Sequence, residues 1–159
     1  VWDAFILISA NPGIENETER ANRRIADAEL ADSIGRLGIP AFLEFWQETP
    51  LIRSQKEIPT KHRAFMQANR LKNTSAGLAK SLRQFGQGST PNLWPEIGKL
   101  AMPALLITGE KDTKYTSIAQ RMQKVIPNAS HVTILDTSHM PHLEQSDSVN
   151  KVIQTFLAK

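Results

Sequence analysis

Three short apolar runs, each followed by a polar loop, predict the strands of a buried sheet. They are DAFILIS at residues 3–9, PALLITG at residues 103–109 and ASHVTIL at residues 129–135. The first two are continuous apolar stretches, as in strands that are buried on both faces of a parallel sheet, and the third alternates at Val132 and Ile134. The sequence therefore predicts about three parallel strands near the two ends of the chain.

Each of the last two strands is followed by a predicted amphipathic helix. In residues 116–126 the apolar positions that share one helical face are Ile118, Met122, Val125 and Ile126. In residues 147–159 they are Val149, Val152, Ile153, Phe156 and Leu157. Apolar residues at intervals of three and four form one stripe along a helix, which can pack against a sheet. Strands that alternate with such helices predict the α/β fold class.

The middle of the chain has the periodicity of helices. Asn16 and Glu19 have the spacing of an N-terminal capping box, and Gly38 is predicted to end this helix. Its predicted buried stripe consists of Ala21, Ile25, Ala28 and Leu37. Three further helices are predicted in the segments PAFLEFWQETP, PTKHRAFMQANRLKN and SAGLAKSLRQFGQG.

These elements divide the chain into three parts. We predict a core strand in residues 1–14, a helical lid in residues 15–95 and a C-terminal α/β core in residues 96–159. A helical insertion between two strands of a parallel sheet is typical of a lid over a site at the carboxyl ends of the strands.

Composition excludes several classes of protein. Of the 159 residues, 40% are hydrophobic and 22% are charged, which is ordinary for one globular domain with its own core. No apolar run approaches the roughly 20 residues of a transmembrane helix, and the N-terminus lacks the pattern of an export signal. The absence of cysteine excludes disulfides, thiol catalysis and cysteine-ligated zinc. We therefore expect no membrane insertion and a cytoplasmic location.

The net charge of +3 arises in the middle of the chain. Residues 15–95 contain 12 Lys and Arg against 9 Asp and Glu, and the remainder contains 7 of each kind. Nucleic-acid-binding proteins usually have denser basic clusters with stacking aromatic residues, so we expect no nucleic-acid partner. The pattern favours a small anionic substrate and leaves open the alternative of a solvated helical surface.

Two strand-end loops contain the residues with the clearest chemical meaning. Asp112 follows the second predicted strand in the loop GEKD, and His139 follows the third in the loop DTSH. An acid and then a histidine at successive strand ends is the chain order of the last two members of an α/β-hydrolase catalytic triad. In such a triad the imidazole accepts the serine proton, and the carboxylate fixes the tautomer of the imidazole.

Simpler interpretations of the same residues exist. Asp favours turns, and a single loop histidine is more often a surface residue than a catalyst. His139, His142 and Glu144 together suggest a metal site, but the histidines lack the spacing of a zinc-binding helix, and Pro141 disfavours a regular helix. We therefore predict no metal and place His142 in the pocket wall beside His139.

The chain also resembles a known family nearly from end to end. The segments with the resemblance are AFILISANPGI, ERANRR, FWQETPLIRSQ, ANRLKNTSAGLAKSLRQFGQGSTPNLWPEI, MPALLITGEKDTKY and TSHMPHLEQ. They are similar to the 2-succinyl-6-hydroxy-2,4-cyclohexadiene-1-carboxylate synthases of menaquinone biosynthesis, a family within the α/β-hydrolase superfamily. The segments GEKDTKY and GQGSTPNLW are fairly specific to that family.

This resemblance implies a lyase that needs no cofactor. A base removes a proton from a succinyl-bearing ring substrate, pyruvate leaves and a conjugated diene forms. The resemblance identifies Asp112 and His139 with the family's acid and histidine. It identifies Trp46, Arg70 and Arg23 with lid residues that face the substrate and its carboxylates. Guanidinium groups suit that role because they pair bidentately with carboxylates, at roughly twice the strength of a neutral hydrogen bond.

One expected motif is missing from the sequence. No Gly-x-Ser-x-Gly occurs in the chain, although the superfamily places its nucleophilic serine in that motif. We therefore predict that the chain is the C-terminal part of a longer enzyme, whose N-terminal half supplies the serine and the oxyanion hole, and that the chain alone is inactive. Two other interpretations stay open, namely an ester or carbon–carbon bond hydrolase of the same fold and a non-catalytic binding module.

Overall fold

The structure, a computed structural model, describes residues 3–158. In chain order its elements are β1 (Phe5–Ile8), α1 (Glu17–Trp46), α2 (Pro50–Arg53), a 3-10 turn (Ser54–Glu57), α3 (Thr60–Leu71), α4 (Ser75–Phe85), α5 (Trp94–Ile97), β2 (Ala104–Gly109), α6 (Thr113–Val125), β3 (Ala129–Ile134), α7 (Pro141–Glu144) and α8 (Ser146–Leu157). Within these residues, no helix is both long enough and apolar enough to cross a membrane.

The chain divides into two compact units. The first, the sheet unit, contains the residues up to Asn11, the segment Ser54–Pro59 and the chain from Pro95 onward. The second, the helical unit, contains Pro12–Arg53 and Thr60–Trp94. The predicted lid included the segment Ser54–Pro59, which the structure groups with the sheet unit instead.

The segment Ser54–Pro59 belongs to the sheet unit through its buried side chains. Gln55 is 8% exposed, and its amide nitrogen donates a hydrogen bond to Met140 Sδ at 3.3 Å. Ile58 is 1% exposed. These side chains stabilise the segment by burial, which an analysis of helical periodicity does not detect.

The three strands form one parallel sheet in the order β1-β2-β3. Ile107 in the central strand is aligned with Ile8 on one side and Val132 on the other. All six residues of β2 are buried, as its continuous apolar sequence predicts. β1 is half-buried and not buried on both faces as predicted, because in the described part of the chain it is hydrogen-bonded along one edge only. The predicted α/β fold class is confirmed.

Helices α8 and α6 cover opposite faces of the sheet. Leu105 and Ile107 point to one face, where they pack with Val149 of α8. Thr108 accepts a hydrogen bond from the hydroxyl of Thr116 in α6 at 3.0 Å. Successive side chains of a strand alternate between its two faces, so α6 lies on the other side. The sheet is therefore a central layer between two helices.

The helix faces differ in part from the predicted ones. Tyr115, Ala119 and Met122 form the buried stripe of α6, whereas Val125 is 38% exposed. At 3.6 residues per turn, Val125 lies at the edge of the face that Tyr115, Ala119 and Met122 define. The predicted stripe began at residue 116 and so did not include Tyr115. At the end of α8, Leu157 is 64% exposed and lies outside the packed stripe.

In the helical unit, α1 packs against α4. The apolar cluster between them consists of Ile34, Ile39, Phe42 and Leu43, with Leu30, Trp46, Leu78, Ala79 and Leu82 at its edge. The Asn16 side chain accepts a hydrogen bond from the Glu19 amide at 2.9 Å, which confirms the predicted helix N-terminus. At Gly38 the backbone has φ 75° and ψ 167°, so this residue ends the first segment of α1, as predicted.

The predicted buried stripe of α1 is wrong at two positions. Ile25 and Leu37 are 59% and 45% exposed. The buried residues before Gly38 are Asp27, Ala31 and Ile34. A carboxylate at Asp27 interrupts the apolar pattern, and it is tolerated because the Gly88 amide donates a hydrogen bond to it. A contact between segments so far apart does not affect the local spacing of apolar residues, so the sequence pattern could not predict it.

Candidate active site

Asp112 lies just beyond the carboxyl end of β2, where the chain turns into α6. It is the N-cap residue of α6, and its Oδ1 accepts a hydrogen bond from the Tyr115 amide at 3.3 Å. Its own amide donates to the Gly109 carbonyl at 3.1 Å. The Asp112 side chain is only 8% exposed. These contacts fix the carboxylate and leave its second oxygen, Oδ2, for another partner.

His139 supplies that partner from the loop between β3 and α7. Its Nδ1 lies 2.6 Å from Asp112 Oδ2, a distance typical of a charge-assisted hydrogen bond. The Tyr115 ring contacts the imidazole at a centroid separation of 4.5 Å and an interplanar angle of 57°. With Nδ1 donating to the carboxylate, the neutral ring has its lone pair on Nε2. Such a pair can accept a proton at Nε2 and stabilise the imidazolium that results.

The loops that contain Asp112 and His139 are joined by hydrogen bonds of their own. The Lys111 amide donates to the Thr137 carbonyl at 2.9 Å. The Glu110 amide donates to the Ile134 carbonyl at 3.0 Å. Within its own loop, the buried Thr137 hydroxyl donates to the same carbonyl at 2.9 Å. The backbone therefore fixes the spacing of the acid and the imidazole, in addition to their attraction for each other.

Gly109 permits the close approach of these two loops. A Cβ atom at this position would overlap the carbonyl oxygens of Thr137 and Ser138, which are backbone atoms. We expect Gly109→Ala to reduce the free energy of unfolding by about 1–3 kcal/mol, because the added methyl overfills a packed site. Thermal unfolding followed by circular dichroism would then show a melting temperature several degrees lower.

Gly35→Ala is the matched control for this substitution. A Cβ atom there meets no atom within 4 Å, and the residue lies inside α1. Alanine is favoured over glycine within a helix, so this variant should be more stable by about 0.5–1 kcal/mol. A Gly109→Ala protein that melts at the wild-type temperature would contradict the close approach of the loops.

His142 lies on α7, three residues after His139. Its Nδ1 is buried and has no hydrogen-bond partner among residues 3–158. Burial lowers the pKa of His142, the Glu144 carboxylate opposes this change, and the neighbouring His139 adds to it. His142 is therefore a neutral imidazole at pH 7. In the same residues, no three His, Asp or Glu side chains form a group that could hold a metal ion.

In the helical unit, Trp46 and Arg70 lie against each other. The Arg70 guanidinium carbon is 4.9 Å from the centroid of the Trp46 ring, within the range of a cation–π interaction. Phe42 stacks on Trp46 at a centroid distance of 6.1 Å. All three residues line a mostly apolar cavity of about 230 Å³. Burial lowers the pKa of Arg70, but a guanidinium remains protonated near neutral pH.

Arg23 is held by contacts within the helical unit. Its Nε donates to Asp27 Oδ1 at 2.8 Å, and its Nη1 donates to Gln87 Oε1 at 3.3 Å. The Asp27 side chain is 3% exposed and also accepts a hydrogen bond from the Gly88 amide at 3.2 Å. The ion pair therefore occupies the Nε edge of the guanidinium, and the hydrogen bonds with Gln87 and Gly88 link α1 to the turn after α4.

Comparison with known proteins decides the superfamily. No protein-family model matches the chain. The putative 2-succinyl-6-hydroxy-2,4-cyclohexadiene-1-carboxylate synthase of Bacillus subtilis (strain 168) is 36% identical over 154 residues, which cover 97% of this chain and 56% of the relative. The solved structure of MenH from S. aureus matches with a TM-score of 0.94 and 36% identity, over 98% of this chain and 59% of that chain. The chain belongs to the α/β-hydrolase superfamily.

A second solved structure, at lower sequence identity, supports the fold alone. A thermophilic esterase from Thermogutta terrifontis matches with a TM-score of 0.78 at 22% identity, over 98% of this chain and 56% of that chain. The predicted resemblance to the synthases is confirmed by sequence and by structure. The chain spans about half the length of the curated relatives that it matches, and it corresponds to their C-terminal part.

Three residues of this α/β-hydrolase chain support the candidate site in ways that the sequence did not predict: Tyr115 and Asp27 were not singled out, and Glu144 was considered only as a metal ligand. Tyr115 contacts the imidazole of His139, Asp27 pairs with Arg23, and Glu144 accepts hydrogen bonds from the loop around His139. Of these, only Tyr115 could have been found from the sequence, since it lies in the first helical turn after the predicted acid. The contacts of Asp27 and Glu144 depend on the path of a turn or a loop, which residue spacing does not reveal.

Proposed function

We propose that the chain is the acid–base and substrate-binding part of a lyase of menaquinone biosynthesis. The reaction eliminates pyruvate from a succinyl-bearing ring substrate and gives 2-succinyl-6-hydroxy-2,4-cyclohexadiene-1-carboxylate. The observation that carries the proposal is the 2.6 Å contact between His139 Nδ1 and Asp112 Oδ2, in a chain that is 36% identical to a putative synthase of that name.

In the proposed reaction, His139 is the base. Its Nε2 receives the substrate proton, directly or through a serine hydroxyl. The electron pair of the broken carbon–hydrogen bond forms the new double bond, and the leaving group departs with its own bonding pair as the enolate of pyruvate. This enolate takes up one proton to become pyruvate, and the imidazolium gives up the proton that it received, so the base is regenerated. Asp112 keeps Nδ1 protonated and stabilises the imidazolium. The elimination neither oxidises nor reduces the substrate overall, so it requires no redox cofactor.

The serine and the oxyanion-hole donors come, in this proposal, from a further part of the enzyme. The 159 residues contain no Gly-x-Ser-x-Gly, and the chain covers 56% of its Bacillus relative. We assign these groups to an N-terminal half and use "complete enzyme" for that half together with this chain. We also propose a cytoplasmic location, which the absence of cysteine favours.

The helical unit binds the anionic substrate in this proposal. Arg70 pairs with a substrate carboxylate, and its burial strengthens that attraction because less water screens the charge. Trp46 provides a flat apolar wall and restricts the orientation of the guanidinium. That residues 15–95 act as a lid remains a prediction.

Two further residues have supporting roles. We propose that Arg23 meets a second carboxylate through its Nη2 end, while Asp27 holds its Nε edge. His142 forms a neutral part of the pocket wall.

An ester or carbon–carbon bond hydrolase is the second candidate function. The observation in its favour is the same Asp112–His139 pair, since hydrolases of this superfamily use an acid and a histidine in the same chain order. A substrate with several carboxylates requires buried cationic side chains, whereas an apolar ester does not. Arg70 therefore distinguishes the two candidates.

Arg70→Ala in the complete enzyme tests the proposed function. We expect the KM for the ring substrate to rise by about 10- to 100-fold, because a charge-assisted hydrogen bond to a carboxylate is lost. The kcat should fall much less, since the interaction is present before and during the reaction. Steady-state kinetics with the ring substrate and with an apolar ester would measure both quantities.

Arg83→Ala is the control for this experiment. Arg83 is an exposed arginine of the same unit, and its ion pair with exposed Asp32 is of the kind that contributes little to stability. Its loss should leave the KM within about twofold of the wild-type value, since an exposed pair contributes well under 1 kcal/mol. An unchanged KM in Arg70→Ala would contradict the proposed substrate class and favour the hydrolase.

A further inference from the structure

We propose that Glu144 is a positioning residue that fixes the imidazole of His139 through the backbone. This inference rests on the proposed role of His139 as the base. Glu144 Oε2 accepts a hydrogen bond from the Ser138 amide at 2.7 Å, and its Oε1 accepts one from the Met140 amide at 3.1 Å. One carboxylate thus holds the backbone amides on both sides of the histidine.

The loop around His139 lacks the regular hydrogen bonds that would otherwise fix it. Ser138 and Met140 lie after the last strand and before the first turn of α7, so helix and sheet ladders do not include their amides. Pro141 begins α7 and has no amide hydrogen to donate. An ionised carboxylate is the strongest acceptor that a protein offers to such amides. Glu144 therefore replaces the missing backbone hydrogen bonds.

Three contacts together determine where the reactive nitrogen lies. Asp112 holds Nδ1 at 2.6 Å, Tyr115 contacts the ring at a centroid distance of 4.5 Å, and Glu144 holds the flanking peptides. Asp112 and Tyr115 act on the imidazole ring, whereas Glu144 acts on the backbone from which the side chain extends. Without Glu144 the loop can shift while the imidazole stays bonded to Asp112, and Nε2 then rotates away from the substrate proton.

A purely structural role for Glu144 predicts different behaviour. If Glu144 only stabilised the short helix α7, its loss would lower the folded fraction and leave each folded molecule fully active. If it positions His139, folded molecules lose kcat and keep their KM, because substrate binding does not depend on Nε2. The Nδ1 proton shared with Asp112 should also change, since its far-downfield NMR signal reports the geometry of that hydrogen bond.

The test uses Glu144→Gln and Glu144→Ala in the complete enzyme. Glutamine keeps one acceptor oxygen and presents an NH₂ group to the second amide, so it is the milder change. We expect kcat to fall by about 10-fold in Glu144→Gln and by about 100-fold in Glu144→Ala, with the KM within about twofold, as for a reactive group displaced by up to an ångström. The downfield proton signal should shift or broaden in both variants.

Asp147→Asn is the matched control, because Asp147 is an exposed carboxylate in the first turn of α8. It should retain wild-type kcat and the wild-type proton signal. A folded Glu144→Gln protein with wild-type kcat and an unchanged downfield proton signal would overturn the inference. A loss of activity that is proportional to the unfolded fraction would also overturn it. If Glu144→Ala does not fold, Glu144→Gln still tests the positioning role of Glu144. If His139→Ala retains activity, the proposed function fails, which is a result distinct from any result for Glu144.

Discussion

His139→Ala in the complete enzyme should reduce turnover by about 10⁴- to 10⁶-fold, the range found when the histidine of a catalytic triad is removed. The physical reason is that alanine leaves no group at the position of Nε2 to accept the proton. The KM should change little, because the main interactions proposed to bind the substrate come from Arg70 and other residues of the helical unit. Steady-state assays at saturating substrate, with folding verified by circular dichroism, would measure the effect.

His131→Gln is the control for the loss of an imidazole elsewhere in the sheet unit. The ring of His131 lies 2.8 Å from the Thr108 hydroxyl, and burial lowers its pKa, so it is neutral near pH 7. Glutamine preserves a hydrogen bond to that hydroxyl, and turnover should stay within about twofold of wild type, as for a substitution away from the site. Turnover of folded His139→Ala within tenfold of wild type would show that His139 is not the base.

Asp112→Asn should reduce kcat by about 10³- to 10⁴-fold with little change in KM. The asparagine amide can donate its hydrogen to Nδ1, which then has to present a lone pair, so the proton of the imidazole moves to Nε2. The base is then protonated at the atom that should accept the substrate proton. Asparagine is as good an N-cap residue as aspartate, so α6 and the fold should lose little stability.

Asp136→Asn provides the comparison for Asp112→Asn. Asp136 is a neighbouring carboxylate whose side chain is 83% exposed, and its φ of 55° is a conformation that asparagine tolerates. Its 3.9 Å ion pair with Lys111 is exposed and contributes little. Equal kinetic effects of the two substitutions would mean that Asp112 acts only through its charge and does not fix the tautomer.

The sheet and the acid–histidine pair could be predicted from the sequence for a physical reason. β2 is buried along its whole length, so its residues are apolar without interruption and the strand ends at a clear boundary. Asp112 and His139 follow two strands that are neighbours in the sheet, and parallel strands bring their carboxyl ends to the same edge. Strand order and residue type were therefore sufficient to predict that these two side chains lie close together.

The packing of the helical unit could not be predicted in the same way. The buried face of α1 includes Asp27, whose cost of burial is offset by Arg23 and by the Gly88 amide, 61 residues further along the chain. A local pattern of apolar residues cannot contain that information, so the predicted stripe included the exposed Ile25 and Leu37. The orientation of helices with mixed faces depends on such individual contacts.

The basic charge of the middle segment also has a structural explanation beyond substrate binding. Arg83 pairs with Asp32 and Arg53 pairs with Glu48, both within the helical unit. A count of charges does not separate these arginines from one that meets a ligand. The partial burial of Arg70 and its contact with Trp46 distinguish it from them, and only coordinates reveal those properties.

The proposed function is tested most directly by measuring the release of pyruvate from the succinyl-bearing ring substrate by the complete enzyme, together with the absorbance of the conjugated diene. The proposed function predicts one pyruvate for each diene formed, and negligible release by these 159 residues alone. A folded complete enzyme that releases no pyruvate from this substrate, or that hydrolyses only apolar esters, would contradict it.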